Sequence, residues 1–304
     1  MTQHVVMFSG GAASWLTAKR VVEREYAPGD YVTLLFADTM MEDEDLYRFL
    51  DEAAANVLEP IGAVGGELYK LQEGRDPWEV FFDERYLGNT RIDPCSKILK
   101  RQLMRKHLEA NFKPEHTVVY LGLDWTEGHR FDRAAPFWEP WVVKAPLQAP
   151  PHLDKEQIVG ALATEGIAAP RLYAAGFPHN NCGGFCIKAG QAHFKLLLSW
   201  NRERYLYHER REQELREYLD KDIAILRDRT GGKTRPLTLR ELRRRVEAEE
   251  KIDEGDWGGC GCFSPTEPYE AEATSSASSS SLPSSPSSTE AQQAASSSSS
   301  SVAS

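Results

Sequence analysis

Six residues near the start of the chain have the make-up of an anion site: Ser9-Gly10-Gly11-Ala12-Ala13-Ser14. They lie between an apolar run, His4 to Phe8, and a stretch of helical periodicity from about Ala12 to Tyr26. Two glycines permit positive φ and close approach of the backbone to a ligand. The first N–H groups of a helix, with the Ser9 and Ser14 hydroxyls, then converge on one negative charge. The spacing is neither Gly-x-x-x-x-Gly-Lys-Ser/Thr nor Gly-x-Gly-x-x-Gly, so neither a γ-phosphate loop nor a dinucleotide fingerprint is expected. A tight strand-to-helix turn that binds nothing is the plainer reading of the same residues.

Thiols form a second constellation. Four of the five cysteines fall in two tight pairs, Cys182-Gly183-Gly184-Phe185-Cys186 and Cys260-Gly261-Cys262, and the fifth is Cys95. Intervening glycines let a chain fold around an ion, so Cys182, Cys186, Cys260 and Cys262 are the candidate metal ligands. The first pair has zinc-like spacing and the second is tighter. His179 is a further candidate contact, and small reduced cysteines are the plainer reading. Asp38 ends an apolar run and can accept hydrogen bonds from a ribose or adenine, with Thr39 beside it. Lys97, Lys100 and Arg130 can neutralise phosphate or sulfate oxygens. The plainer roles are a helix cap for Asp38 and a surface pair with Asp132 for Arg130.

The elements that must position these groups alternate. His4 to Phe8, Tyr31 to Asp38, Glu67 to Gln72, Val118 to Leu123 and Trp141 to Leu147 read as strands. Helices are expected over about 12–26, 43–58 and 97–110. This pattern predicts an α/β fold with a doubly wound, mostly parallel five-stranded sheet over residues 1–150. Residues 151–263 read as a helical extension carrying the cysteine site, with helices over 153–166, within 190–219 and over 236–252. Thr238 is the expected N-cap of the last, with Glu241 completing a capping box. The Arg- and Glu-rich stretch from Arg202 to Arg216 reads as a solvated helix face. From Ser264 onward the Ser-, Ala- and Pro-rich composition predicts a disordered tail.

The chain of 304 residues has a net charge of −10, and four acids follow Phe263 without a base, which leaves −6 on the first 263. That balance argues against a general duplex-binding surface. Two basic clusters, Lys97 to Lys106 and Arg240 to Arg245, are read either as solvated helix faces or as local nucleic-acid contacts. No run of about 18 apolar residues and no secretory leader is evident, so neither membrane spanning nor export is expected. The odd, sparse cysteine count predicts a reducing cytoplasm.

In its motifs the chain resembles the PP-loop superfamily of adenine nucleotide α-hydrolase-like enzymes, in particular the phosphoadenosine phosphosulfate (PAPS) reductase-like family. The shared Ser-Gly-Gly-x-x-Ser is matched at Ser9, Gly10, Gly11 and Ser14, with Ala12-Ala13 where many members have Lys-Asp. Phe36-Ala37-Asp38-Thr39, Cys95-Ser96-Lys97-Ile98-Leu99-Lys100 and Gly122-Leu123-Asp124-Trp125-Thr126-Glu127-Gly128-His129-Arg130 resemble further elements of that family, in order, over about residues 4–145. The resemblance implies binding of ATP, with Mg, or of PAPS at Ser9 to Ser14, and ATP cleavage to AMP and pyrophosphate coupled to sulfur transfer. Thiol-dependent reduction of PAPS and a non-catalytic nucleotide- and metal-binding module are the alternatives. It further implies roles for Cys95, Lys97, Lys100 and Arg130 in the chemistry and a [4Fe-4S] cluster, with zinc as the alternative. The ligands would be the two pairs, or Cys95, Cys182 and Cys186 with one C-terminal cysteine. In reductases of the family a terminal Cys-Gly supplies the nucleophile, a role open to Cys260-Gly261. An acceptor, a nucleic acid among the options, and an electron or sulfur donor protein complete the expected partners.

Overall fold

A computed structural model describes residues 1–87, 93–229 and 233–259. Cys260, Cys262 and the Ser-rich tail lie outside the described residues. The N-terminal half runs β1 (Gln3–Met7), α1 (Ala12–Arg24), β2 (Tyr31–Asp38), α2 (Glu44–Leu58), β3 (Gly66–Gln72), α3 (Pro77–Asp83), α4 (Pro94–Ser96), α5 (Leu103–Asn111), β4 (Thr117–Tyr120), α6 (Gly128–Ala134) and β5 (Val142–Lys144). A π-helical turn, Lys97–Gln102, joins α4 to α5. The second half comprises α7 (Lys155–Thr164), α8 (Arg171–Ala174), α9 (Gln191–Trp200), α10 (Arg202–Leu219), β6 (Leu226–Asp228), β7 (Arg235–Leu237) and α11 (Leu239–Glu247).

The five principal strands form one all-parallel sheet in the order β3-β2-β1-β4-β5. The central strands β1, β2 and β4 are buried on both faces, as parallel strands with crossover helices require, whereas the edge strands β3 and β5 hold no buried residue. Val6, Phe8, Leu34 and Phe36 pack under α1 and α2 on one face. Val5, Met7, Leu35 and Val119 pack with Met104 and Leu108 of α5 and with Trp138 on the other. The chain leaves β1 toward β2 and β3 on one side and reaches β4 and β5 on the other. The strand order therefore reverses between β1 and β4, which opens a crevice at their C-terminal ends.

Helix starts follow local capping chemistry. Asp43, Asp76 and Asp154 cap α2, α3 and α7 through their carboxylates. Thr238 caps α11, accepting from Glu241 N at 3.1 Å. The Glu241 carboxylate, however, turns to Arg244 and Arg245 and does not close the expected box, because two guanidinium partners outcompete one amide.

The two halves of the chain interlock. α7 buries Ile158 and Leu162 in the cluster under α1, while Trp78 and Phe81 of α3 join Phe185, Phe194, Leu197 and Leu242 in a separate helical core. α10 differs from the expected solvated helix: Tyr205, His208, Glu209, Glu212 and Leu215 are buried. Its acids are accommodated by partners, Glu209 on the Arg243 guanidinium at 2.7 and 3.0 Å and Glu212 on the amides of Ile225 and Leu239 at 3.0 and 2.6 Å. The hairpin β6–β7 and helix α3 have no counterpart in the sequence-based expectation. Among the described residues no helix is long and apolar enough to cross a membrane.

Candidate functional site

The loop after β1 is built as its composition demands. Gly10 has φ +73°, and a Cβ there would lie 3.1 to 3.2 Å from the Leu46 side chain. The Ser14 hydroxyl donates to Gly11 O at 2.8 Å and accepts from Gly11 N at 3.3 Å, while Ser9 Oγ donates to Ser14 Oγ at 3.3 Å. Ser14 thus acts as an internal staple of the turn. The Ala12 amide donates to the Tyr173 hydroxyl at 3.3 Å, and the buried Asn180 side chain donates to Gly10 O at 2.9 Å. Burial raises the Tyr173 pKa, so its phenol keeps its proton.

A wide cleft, partly open to solvent, lies over this loop at the reversal between β1 and β4. Ser9, Gly11, Ala12 and Ala13 form one side, and Gly122, Asp124, Glu127 and Arg130, after β4, form another. Lys155 of α7, Tyr173 of α8 and the segment from Trp257 to Gly259 close it. That last segment is tied down by a bridge between Ala189 and Gly258 and by Gly259 N donating to Lys188 O at 3.0 Å. Gly258 is needed there, since with φ +66° a Cβ would lie 2.2 Å from Lys188 O.

A second, narrow pocket, partly open to solvent, is lined by Cys95, Cys182 and Cys186 together with Thr39, Lys100 and His179. Cys95 comes from α4, Thr39 from the end of β2, and the other two thiols from the turn between α8 and α9. Cys182 has φ +49°, unusual for a residue with a side chain. Its amide donates to the Glu42 carboxylate, which also accepts from Thr39 Oγ1 at 3.0 Å and pairs with Lys100 Nζ at 3.6 Å. His193 Nε2 donates to Gly184 O at 2.7 Å and so holds the same turn. Burial, reinforced by His193, Lys100 and Lys155, lowers the His179 pKa to about 3. His179 is thus a neutral imidazole, and among the described residues its Nδ1 has no hydrogen-bond partner. The two cavities share a wall made by His179, Asn181 and Cys186.

Several expected residues therefore converge and others do not. Ser9, Gly11 and Arg130 face the cleft, whereas Gly10 and Ser14 shape the loop behind it. Arg130 pairs with Glu127. Asp38 lines neither cavity, because Met40 N, Tyr47 Oη and Gln72 Nε2 occupy its carboxylate at 2.8, 2.9 and 2.9 Å. Thr39 and Lys100 reach the thiol cavity, while Lys97 is exposed and lines neither. Cys95 joins Cys182 and Cys186, but among the described residues no three His, Cys, Asp or Glu side chains are grouped to hold a metal ion. The donor types suit a soft metal, and the thiols as they stand do not form a closed ligand set.

Lys155, Tyr173 and Asn180 escaped the sequence reading, since lone residues on a helix start and in connectors carry no spacing signal. Both basic clusters are largely ion-paired internally: Arg243 with Glu209, Arg244 with Glu241 and Glu250, Arg245 with Asp228, Arg101 with Asp93 and Arg105 with Glu109. No protein-family model matches the chain, and no curated protein matches it.

Proposed function

We propose that the protein is an enzyme of the PAPS reductase-like branch of the PP-loop superfamily, with a sheet of the HUP/PP-loop type. In this reading it binds ATP or an adenosine phosphosulfate in the larger cleft and couples adenylylation to sulfur transfer. The observation that carries the reading is the shared wall of His179, Asn181 and Cys186, which sets the anion-binding loop next to three thiols. The crevice at the strand reversal is also where open parallel sheets bind nucleotides.

In the proposed reaction an acceptor oxygen attacks the α-phosphorus of ATP, the bond to the β-phosphate breaks and pyrophosphate leaves. The terminal sulfur of a persulfide on a donor protein then attacks the acceptor carbon as the carbon–oxygen bond breaks and AMP leaves, and a cysteine thiolate next cleaves the sulfur–sulfur bond, releasing the thiolated acceptor and leaving a disulfide. The loop amides and Arg130 stabilise charge on the phosphates. Lys100, held by Glu42, lines the thiol cavity. Cys95, Cys182, Cys186 and Cys260, the residue after the anchored Gly259, would hold an iron-sulfur cluster. Such a group would supply a soft, redox-active surface for sulfur. Zinc on the same thiols would serve as a structural clasp.

The tether of Gly259 to Lys188 favours a second reading, reduction of PAPS, because the next residues are Cys260-Gly261. There the Cys260 thiolate attacks the sulfonate sulfur, the bond to phosphate oxygen breaks and the nucleotide bisphosphate leaves. A second cysteine thiolate then forms a disulfide and releases sulfite.

Incubation of the full chain with labelled ATP or labelled PAPS separates the readings. AMP and pyrophosphate support the first and sulfite the second. Tight nucleotide binding without either product leaves a binding module. A Ser9→Ala, Ser14→Ala variant with unchanged nucleotide affinity overturns the site.

A further inference from the structure

The loop Ser9 to Ser14 carries no cation of its own, since Ala12 and Ala13 occupy its centre. A nucleotide's phosphates bring several negative charges to amides and hydroxyls that only partly offset them. Two cations line the larger cleft, Arg130 and Lys155. Arg130 is engaged with the Glu127 carboxylate. Lys155 is held differently. Its Nζ donates to a neutral group, Pro178 O, at 2.6 Å, and among the described residues it makes no ion pair.

Its position couples it to the loop. Nζ lies 5.0 Å from the centre of the Tyr173 ring, and the hydroxyl of that same ring accepts the Ala12 amide at 3.3 Å. The Tyr173 hydroxyl also lies 3.1 Å from where a Cβ on Gly11 would stand. One phenol ring therefore spans from the ammonium to the N–H group that a phosphate oxygen would take. Lys155 is the first residue of α7, capped by Asp154 and Gln157, so its backbone is fixed while its long side chain can swing.

We propose that Lys155 is a second phosphate-binding cation of this cleft beside Arg130, supplying from α7 the positive charge that the loop lacks. The class of ligand is a nucleoside polyphosphate or phosphosulfate, and the inference rests on the cleft being the nucleotide site. On binding, Nζ leaves the Pro178 carbonyl for phosphate oxygens, a charge-assisted contact in place of a neutral one. Tyr173 and the Ala12 amide mark where those oxygens arrive.

The test is calorimetric titration of the full chain with Mg-ATP, inorganic pyrophosphate and adenosine, comparing wild type with Lys155→Met and Lys155→Arg. Lys155→Met is expected to weaken ATP and pyrophosphate roughly 10- to 100-fold, with adenosine affinity and thermal stability unchanged. Lys155→Arg is expected to restore most of the loss. Wild-type ATP affinity in Lys155→Met would overturn the role of Lys155 while leaving the nucleotide site standing. An equal loss for adenosine would also overturn it, by marking a structural effect. A wild-type protein that binds none of the three probes would overturn both.

Discussion

The buried Asn180 amide donates to the carbonyl of Gly10 at 2.9 Å, across 170 positions of sequence. Two residues further on is Cys182, whose amide meets Glu42, three residues beyond Thr39 at the end of β2. The turn that bears Cys182 and Cys186 is thus fastened to the ends of both β1 and β2. The loop Ser9 to Ser14 and the thiol cavity are held in one frame by contacts from side chain to backbone, before any ligand is considered.

Replacing Asn180 by Ala leaves the Gly10 carbonyl buried without its donor. A loss of about 1–3 kcal/mol in unfolding free energy is expected, read by urea denaturation. Nucleotide affinity should fall with it, because the loop loses its brace.

Gly10→Ala places a side chain at φ +73° and presses it onto Leu46. The left-handed backbone alone costs about 1–2 kcal/mol. The expected outcome is a lower melting temperature and weakened binding of ATP, measured on the same preparation by thermal scan and titration.

Glu212 gives stability a definite pH dependence. Burial raises its pKa from an ordinary 4.5 to about 7, against the lowering effect of the Ile225 and Leu239 amides. Between those values the folded protein holds a proton that the unfolded chain has released. Its contribution is therefore full below about pH 4.5 and is lost as pH rises to about 7. At ~1.4 kcal/mol per unit the change is at most about 3.5 kcal/mol. Relative to wild type, Glu212→Gln should remove this slope. Denaturation at a series of pH values between 4.5 and 8 checks it, and parallel curves for the two proteins would contradict it.

The proposed cluster carries a metal dependence as its consequence. Anaerobic purification of the full chain should yield iron and acid-labile sulfide in near-equal amounts, with a broad band near ~400 nm expected of a thiolate-bound cluster. Cys95→Ser and Cys186→Ser should each lower the iron content. Zinc without sulfide would recast the thiols as a structural clasp.

Much of this was legible in the chain. Apolar runs of strand length alternating with helical periodicity specify a parallel α/β sheet, because a strand buried on both faces must be apolar throughout and β2 was readable to the residue. Ser-Gly-Gly-x-x-Ser after β1 is a local signal, and its turn forms as glycine and serine chemistry requires. The partnership of distant groups was not legible. Whether Asp38 faces a ligand depended on Tyr47 and Gln72 reaching its carboxylate first. Whether Arg- and Glu-rich α10 lies in solvent depended on Arg243 and two backbone amides meeting its acids. Cys95 joins Cys182 and Cys186, and Lys155 lines the same cleft as the loop Ser9 to Ser14, only because the chain returns across the C-terminal ends of β1 and β2. Periodicity and capping act within a few residues along one element, while these contacts are chosen by packing between separate elements of the chain.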